Sequence, residues 1–482
     1  MTNTRSLLIG ALLCLTVLVV FYPSLDGLFV WDSRLYVFNY SVLWLITPEN
    51  LSTILFKAFG YHWQPLVYLT HMLDFHFYAN RPWGHHLTNL LLHMGNCLLV
   101  YHVSRRILQT HSIDWDQAKT AAWFIAFIFA VHPQQVEVVA WVIARKDLMA
   151  TLFSLLAIAS HLNYRDSGNH WFRWLTILLV TAALFCKSSA VVMFAVLTVI
   201  DVYPLRHFPP SIRGLIHSLK DKTSILFITL GVVIVTIVTK VDTISSTSTI
   251  PLELRLPIVI HNIGFYVFKL LSPIDLSPFY PVQNEFKIRA PQFWLPGLAL
   301  SVIWFATAWT LARKKRYELL TAGLLYLLMI APMSGFLHFG AALAADRFAY
   351  MAKLPLLMII VPATIFYCRA WLPSTRRLIP IVMGSIILIW SFQSNQLSRV
   401  WINSLNLWSY VIAIYPDSNY ANHNLAVAWY DQGNYEKAVE YELKARKLGF
   451  KDANGDIFFN LIQDELKRIN QQKQTLQKED SS

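Results

Sequence analysis

The sequence predicts an all-α polytopic membrane protein, and three observations predict it. Apolar residues fill 55% of the 482 positions and charged residues only 14%, against the roughly one quarter charged that soluble domains carry. Apolar runs recur along most of the chain, many near the ~20 residues that a helix needs to cross a bilayer. The basic residues behind the formal net charge of +12 cluster between those runs, at Arg105-Arg106, Arg313 to Arg316 and Arg376-Arg377. That is how short cytoplasmic loops are charged, so the positive balance argues for a membrane topology and against a nucleic-acid partner.

Taken in order, the first apolar run covers residues 6–24 behind Arg5. It lacks a small-residue cleavage site and is expected to be a retained span, not a signal peptide. The segment 26–83 then forms the first extracytoplasmic loop, with an interfacial amphipathic helix expected between Phe56 and Tyr78. Spans follow at 84–103, 119–131, 148–164, 172–186, 188–204 and 223–241. The apolar piece from Ile258 to Leu271 is short for a crossing and is expected to be re-entrant or interfacial. This keeps the span at 292–312 ending on Arg313 to Arg316 at the cytoplasmic side. Two crossings bracket the loop Met333 to Arg347, and a last span covers 378–395. The count is about eleven spans over residues 1–396, that at 172–186 short, with the N-terminus cytoplasmic. A tail, 397–470, is extracytoplasmic and helical. Its residues Asn422, Leu425, Ala426, Tyr430, Gly433, Tyr435, Ala438 and Ala445 have the spacing of a tetratricopeptide repeat. One repeat cannot bury its own face, so it is expected to dock on the membrane domain. Residues 471–482 are expected to be disordered. Cys14, Cys97, Cys186 and Cys368 lie in apolar runs without CxxC spacing, so neither a disulfide nor a zinc site is expected.

The chemistry starts from Phe29-Val30-Trp31-Asp32-Ser33-Arg34-Leu35-Tyr36. A carboxylate between aromatics just outside a span is costly to keep and reads as functional. The topology brings Asp32 to the same side as Arg34, His86, Glu137, Arg145, Lys146, Asp147, Lys187, Asp346 and Arg347, from separate loops. One carboxylate with several cations suits sugar transfer from a phosphate-linked donor. The acceptor hydroxyl needs a base, and a phosphate leaving group needs positive charge instead of a general acid. A glycosidase would need two carboxylates across the bond. His71, Asp74, His76, His85, His86 and His93 offer the residue types of a metal site, but the favoured reading is hydrogen bonding within the helix bundle, and no metal ligand is assigned.

Several of these pieces occur in an order that resembles a known family. Trp31-Asp32-Ser33, the run from His86 to His93, and His132-Pro133 with Glu137 and Ala140-Trp141 are three of them. Arg145-Lys146-Asp147-Leu148, Lys187, Leu276 to Pro281 and Ala345 to Tyr350 complete the series. Together they resemble the transmembrane and tetratricopeptide-repeat-containing O-mannosyltransferases and their bacterial relatives, within the GT-C glycosyltransferase superfamily. The resemblance implies a GT-C-like bundle, a polyprenyl-phosphate-linked sugar donor and an inverting transfer to a hydroxyl acceptor such as protein Ser or Thr. Ser33 stands where the family has a second acid, and Ser188-Ser189 replace its acidic partner after the lysine.

The expected activity is therefore a membrane glycosyltransferase with Asp32 as catalytic base. Arg145, Lys146, Lys187 and Arg347 contact the donor phosphate, and Glu137, Asp147, Asp346 and His86 support them. No cofactor is assigned, and a divalent cation is left open. The partners are the donor lipid, a protein or envelope acceptor and the bilayer of a bacterial inner membrane. The alternatives are a scaffold that recruits partners through its repeat, or a GT-C enzyme acting on an envelope lipid or polysaccharide. A transporter would show an internal repeat of spans, and none is read.

Overall fold

The computed structural model describes residues 2–33, 37, 40–57, 63–110, 115–247, 250–282, 285–336, 342–371, 378–451 and 453–479. Arg34, Arg376 and Arg377 lie outside them.

Helices make up nearly all of the described chain. Helix α1 (Thr2–Phe21) leads through a short 3-10 turn into the Asp32 loop, which is followed by α2 (Pro48–Phe56) and α3 (Pro65–Tyr78). At the centre stands α4 (Pro82–Gln109), flanked by α5 (Trp115–Val131), the short α6 (Val136–Ala140) and α7 (Arg145–Ser167). Helices α8 (His170–Cys186), α9 (Met193–Val202), α10 (Ile212–Asp221) and α11 (Thr223–Thr247) come next. Beyond them are α12 (Leu252–Leu271), α13 (Glu285–Arg289), α14 (Pro291–Arg313) and α15 (Glu318–Ile330). The short α16 (Ala349–Ala352), then α17 (Leu354–Trp371) and α18 (Leu378–Val400), close the bundle. The tail is α19 (Ser404–Ile414), α20 (Asn419–Asp431), α21 (Tyr435–Lys447) and α22 (Ala453–Glu479).

The centre of the bundle is pinned by a polar seam on α4. Asn89, His93 and Asn96 recur at helical spacing and share one face. Asn89 donates to the Trp141 carbonyl at 3.1 Å and Asn96 to that of Leu148 at 3.0 Å. His93 lies 2.7 Å from the Tyr350 hydroxyl through Nδ1 and 3.0 Å from the Ala130 carbonyl through Nε2. Buried polar groups are tolerated only when paired, so these contacts fix how α4 meets its neighbours.

Two findings bear on the spans. Among the described residues, four helices are long and apolar enough to cross a membrane, or six if each bent pair counts as one, where about eleven were expected. Some of the expected spans fall short for physical reasons. Helix α4 carries His85, His86, Asn89, His93 and Asn96, and α7 carries charges at both ends, so neither is apolar enough throughout. Other apolar helices are cut short, as α8 is at Cys186 and α15 at Ile330. Helix α12 is also longer than its apolar core implied, at 20 residues. Yet it bonds the segments around Arg347 along its length: Asn262 donates to the Ser334 and Leu343 carbonyls, and Tyr266 accepts from the Ala345 N–H. Its last turn meets His132, whose Nε2 lies 3.0 Å from the Leu270 carbonyl.

Two smaller differences complete the comparison. A two-stranded antiparallel ribbon, β1 (Tyr280–Pro281) with β2 (Ala342–Ala344), interrupts the all-α pattern. The final helix runs to Glu479, across positions 471–479 expected to be disordered. That stretch is built of Gln, Lys, Leu and Glu, which have good intrinsic helix propensity.

The tail packs onto the bundle. Helices α20 and α21 form an antiparallel pair, capped by Ser418 and Asn434 side chains that accept from the Ala421 and Lys437 N–H groups. Gly433 turns the chain between them at φ 74°, where a side chain would be strained. The Leu28 N–H donates to the Ile402 carbonyl at 2.8 Å, and the Tyr410 hydroxyl to that of Leu276 at 3.1 Å.

Candidate active site

Two broken helices and one strained loop assemble the candidate site. At His132-Pro133 the axis bends by 58° between α5 and α6, because proline lacks the N–H that would continue the helix. A second bend, of 62°, separates the Asp346–Ala352 stretch from α17. The first delivers Glu137 and the second Arg347. A carboxylate oxygen of Glu137 accepts from the Arg347 guanidinium, and the other accepts from the Arg347 backbone N–H at 2.9 Å. Glu137 thus holds both the main chain and the side chain of Arg347.

The Asp32 loop is held by aromatics. Trp31 has φ 51°, a conformation that bulky residues avoid and that costs of order 1–3 kcal/mol. It persists because the indole is clamped. Trp31 stacks on Trp141 with centroids 4.7 Å apart, and Trp408 meets it edge-on at 5.3 Å. Its Nε1–H donates to the Tyr420 hydroxyl at 3.3 Å. The clamp sets the direction of the next residue, Asp32, which is partly exposed. Burial pushes the Asp32 carboxyl above its usual range, while the charges of Lys146 and Arg347 pull it back. Ser33 is fully buried, so a second carboxylate at that position would point into the protein.

The expected cations divide. Lys146 and Arg347 lie within electrostatic reach of Asp32. Lys187 forms an ion pair with Asp147 at 2.5 Å, and both line a cavity of about 60 Å³ together with Arg347, Phe348 and Tyr350. Arg347 therefore joins the Asp32 neighbourhood to the Lys187 cavity. Its guanidinium also lies 5.3 Å from the Trp141 ring, so Trp141 meets both Trp31 and Arg347.

Arg145 requires a correction. It is completely buried and bound to Asp74 at 2.5 Å, to the Asn89 side chain at 2.9 Å and to the His85 carbonyl at 2.9 Å. A guanidinium so enclosed braces α7 against α4 and is not presented to a donor phosphate. Helix geometry separates it from Lys146: adjacent residues on a helix point in different directions. His86 packs beside Gly27, where an added Cβ would lie 3.0 Å from its Nε2, so it supports the entry to the Asp32 loop. Asp346 accepts from the Tyr280 hydroxyl at 3.0 Å and from Gln134 at 3.4 Å.

Two charged groups were missed by the sequence reading. Lys353 is buried and donates to Gln135 at 3.3 Å, within electrostatic reach of Asp346. A lysine inside an apolar run was the available signal. Asp201, at the opposite end of the bundle, is buried beneath His161, Arg165, Ser218 and Lys222. A larger apolar cavity of about 500 Å³ also lies toward that end, between Leu108, Tyr203, Arg316 and Phe366, away from Asp32.

The fold and the site define an integral membrane protein of helical class with an acid and several cations gathered at one end of its bundle. No family model matches the chain. It is similar to protein O-mannosyl-transferase Tmtc3 of Drosophila melanogaster, 29% identical over 167 residues, covering 31% of this chain and 18% of that protein. Protein O-mannosyl-transferase Tmtc2 of the same organism is 35% identical over 148 residues, 29% of this chain and 15% of the relative. Protein O-mannosyl-transferase TMTC4 of Homo sapiens is 22% identical over 483 residues, 88% of this chain and 64% of the human protein. The matches thus span less than two thirds of each of these relatives.

Proposed function

We propose that the chain is a membrane glycosyltransferase that moves a sugar from a polyprenyl-phosphate donor to a hydroxyl of a protein, with inversion at the anomeric carbon. The observation that carries this reading is that Asp32, beside the Trp31–Trp141 stack, lies within electrostatic reach of Lys146 and of Arg347, whose guanidinium is 5.3 Å from the same Trp141 ring. Asp32 takes the proton of the acceptor hydroxyl as its oxygen attacks the anomeric carbon. The bond from that carbon to the phosphate oxygen breaks on the opposite face, and the polyprenyl phosphate leaves with its negative charge. Arg347 and Lys146 stabilise that developing charge, and Lys187 lines the adjoining cavity for the rest of the donor phosphate. Glu137 and Asp147 keep Arg347 and Lys187 in place, and Arg145 acts as a brace between α7 and α4. The relatives, named protein O-mannosyl-transferases, support a sugar-transfer activity and a protein acceptor. The placement we favour is a bacterial inner membrane with this end of the bundle extracytoplasmic.

Asp32→Asn tests the assignment in reconstituted vesicles with a polyprenyl-phosphate sugar and an acceptor peptide. Transfer should fall by about 10²–10⁴, the share a positioned base contributes, with insertion and folding unchanged. Full activity in that variant would sink the role of Asp32 as base.

A further inference from the structure

Beneath the Asp32 loop, three buried ligand-type side chains converge that the sugar-transfer reading does not use. His71 and Asp74 lie three residues apart on α3 and so share one face. His85 comes from the first turn of α4. One ligand atom from each of the three can be chosen so that all lie within 4.8 Å of one another. We propose that His71, Asp74 and His85 form a divalent transition-metal site of zinc type that ties α3 to α4.

The ring chemistry favours a metal over simple packing. His85 places Nε2 at 3.1 Å from the Ala79 carbonyl, so the N–H belongs there. This leaves the Nδ1 lone pair facing Asp74 Oδ2 at 3.6 Å. A histidine whose far nitrogen donates to a carbonyl is the usual arrangement of a metal-bound imidazole. His71 is buried, and both its ring nitrogens lack a hydrogen-bond partner among the described residues. Such a group costs about 1–3 kcal/mol unless something satisfies it. Asp74 is held from outside: Oδ1 accepts from the Thr88 hydroxyl at 2.7 Å, and Arg145 pairs with Oδ2 at 2.5 Å. Arg145 is itself fixed by Asn89 and the His85 carbonyl, so it serves as an outer support for a ligating carboxylate.

The spacing is close to what zinc needs. Bonds of about 2.0–2.1 Å in a tetrahedron set ligand atoms roughly 3.3 Å apart. The pair His85–Asp74, at 3.6 Å, is near that value already, and the His71 ligand atom lies within 4.8 Å of both. Two imidazoles and one carboxylate suit zinc, cobalt, manganese or iron(II) better than magnesium or calcium. Because Arg145 already balances the carboxylate, the ion's charge is uncompensated, which favours hydroxide or another anion at the fourth position. The site sits close to the Asp32 loop, since the Phe29 ring meets His85 edge-on at 5.1 Å.

The test uses the full chain in detergent, stripped by chelator and titrated with Zn²⁺ alone. One ion bound per chain, with a rise in melting temperature, is expected. Co²⁺ in place of Zn²⁺ should give the visible absorption of a four-coordinate ion. His71→Leu removes a ligand of similar bulk without breaking any described hydrogen bond, and should lose both the ion and the metal-dependent rise. His102→Gln, on the distant part of α4, should keep both. A wild-type chain that takes up no Zn²⁺ at equivalence overturns the proposal, as does a His71→Leu chain that binds Zn²⁺ as well as wild type. The wild-type titration decides alone if His71→Leu does not fold.

Discussion

The indole rings of Trp31 and Trp141 stack at 4.7 Å with 11° between their planes. This joins a loop near the start of the chain to the turn that leads into Arg145 and Lys146. Trp31 holds its unfavourable φ only while that stack and the edge contact from Trp408 persist. Trp141→Ala should therefore release Asp32 from its direction without touching the carboxylate itself. The stack contributes about 0.5–1.5 kcal/mol beyond area burial. The expected result is at least a tenfold loss in kcat with little change in the amount of folded protein. Trp141→Phe should recover much of the rate. A kcat unchanged in Trp141→Ala would show that the stack does not position the base.

The electrostatics of Asp32 give a pH prediction with a fixed sign. Burial raises its carboxyl pKa, and Lys146 and Arg347 lower it in part. A base acts in its ionised form, so the acidic limb of the pH–rate profile should lie above the ~3.9 of a free aspartate. Lys146→Met removes a charge that favours the carboxylate, so the limb should move to higher pH. A limb that stays in place or moves down contradicts the coupling. The raised pKa also means that folding disfavours the charged form. Stability from this group is present below the unfolded pKa and is lost as pH rises through the folded one. Asp32→Asn should then leave Tm at neutral pH unchanged or slightly higher while transfer is lost.

Glu137 and Arg347 form the other fixed element. Glu137 is buried, and it accepts from both the side chain and the backbone of Arg347. Glu137→Ala leaves a largely buried guanidinium without its carboxylate, which typically costs about 3–5 kcal/mol. Denaturation in detergent should show that loss. Glu137→Gln retains an acceptor for the backbone N–H and should lose less. Equal losses in the two variants would place the stabilising effect in the charge alone.

How much of this was legible in the sequence differs by element. The helical class was, because an apolar excess with interspersed basic clusters has few other solutions. That Asp32 follows the first helix in an aromatic stretch was legible too, because Phe29 and Trp31 precede it in the sequence. The opposite fates of Arg145 and Lys146 were not. Both are basic, adjacent and next to a helix start, and only the packing of α7 against α4 turns one inward to Asp74. Lys353 was visible only as a lysine in an apolar run, because its hydrogen-bond partner Gln135 lies 218 positions earlier. The clamp on Trp31 needed the tail: Trp408 and Tyr420 are remote in sequence, and a spacing pattern within the tail says nothing about what it covers.

That clamp gives the tail a role at the site. The Tyr420 hydroxyl accepts from Trp31 Nε1 at 3.3 Å, and its ring stacks on Phe279 at 4.9 Å. Tyr420→Phe removes the hydroxyl and with it the hydrogen bond from Trp31, about 0.5–1.5 kcal/mol, and should lower kcat by a few-fold. Tyr420→Ala also removes the ring and its aromatic contacts, so the loss should exceed about tenfold. If the tail acts only by recruiting an acceptor, the change would fall on KM for the acceptor and spare kcat with a small hydroxyl acceptor. If it holds the Asp32 loop, kcat falls for small and large acceptors alike. The Trp31–Tyr420 contact predicts the second pattern.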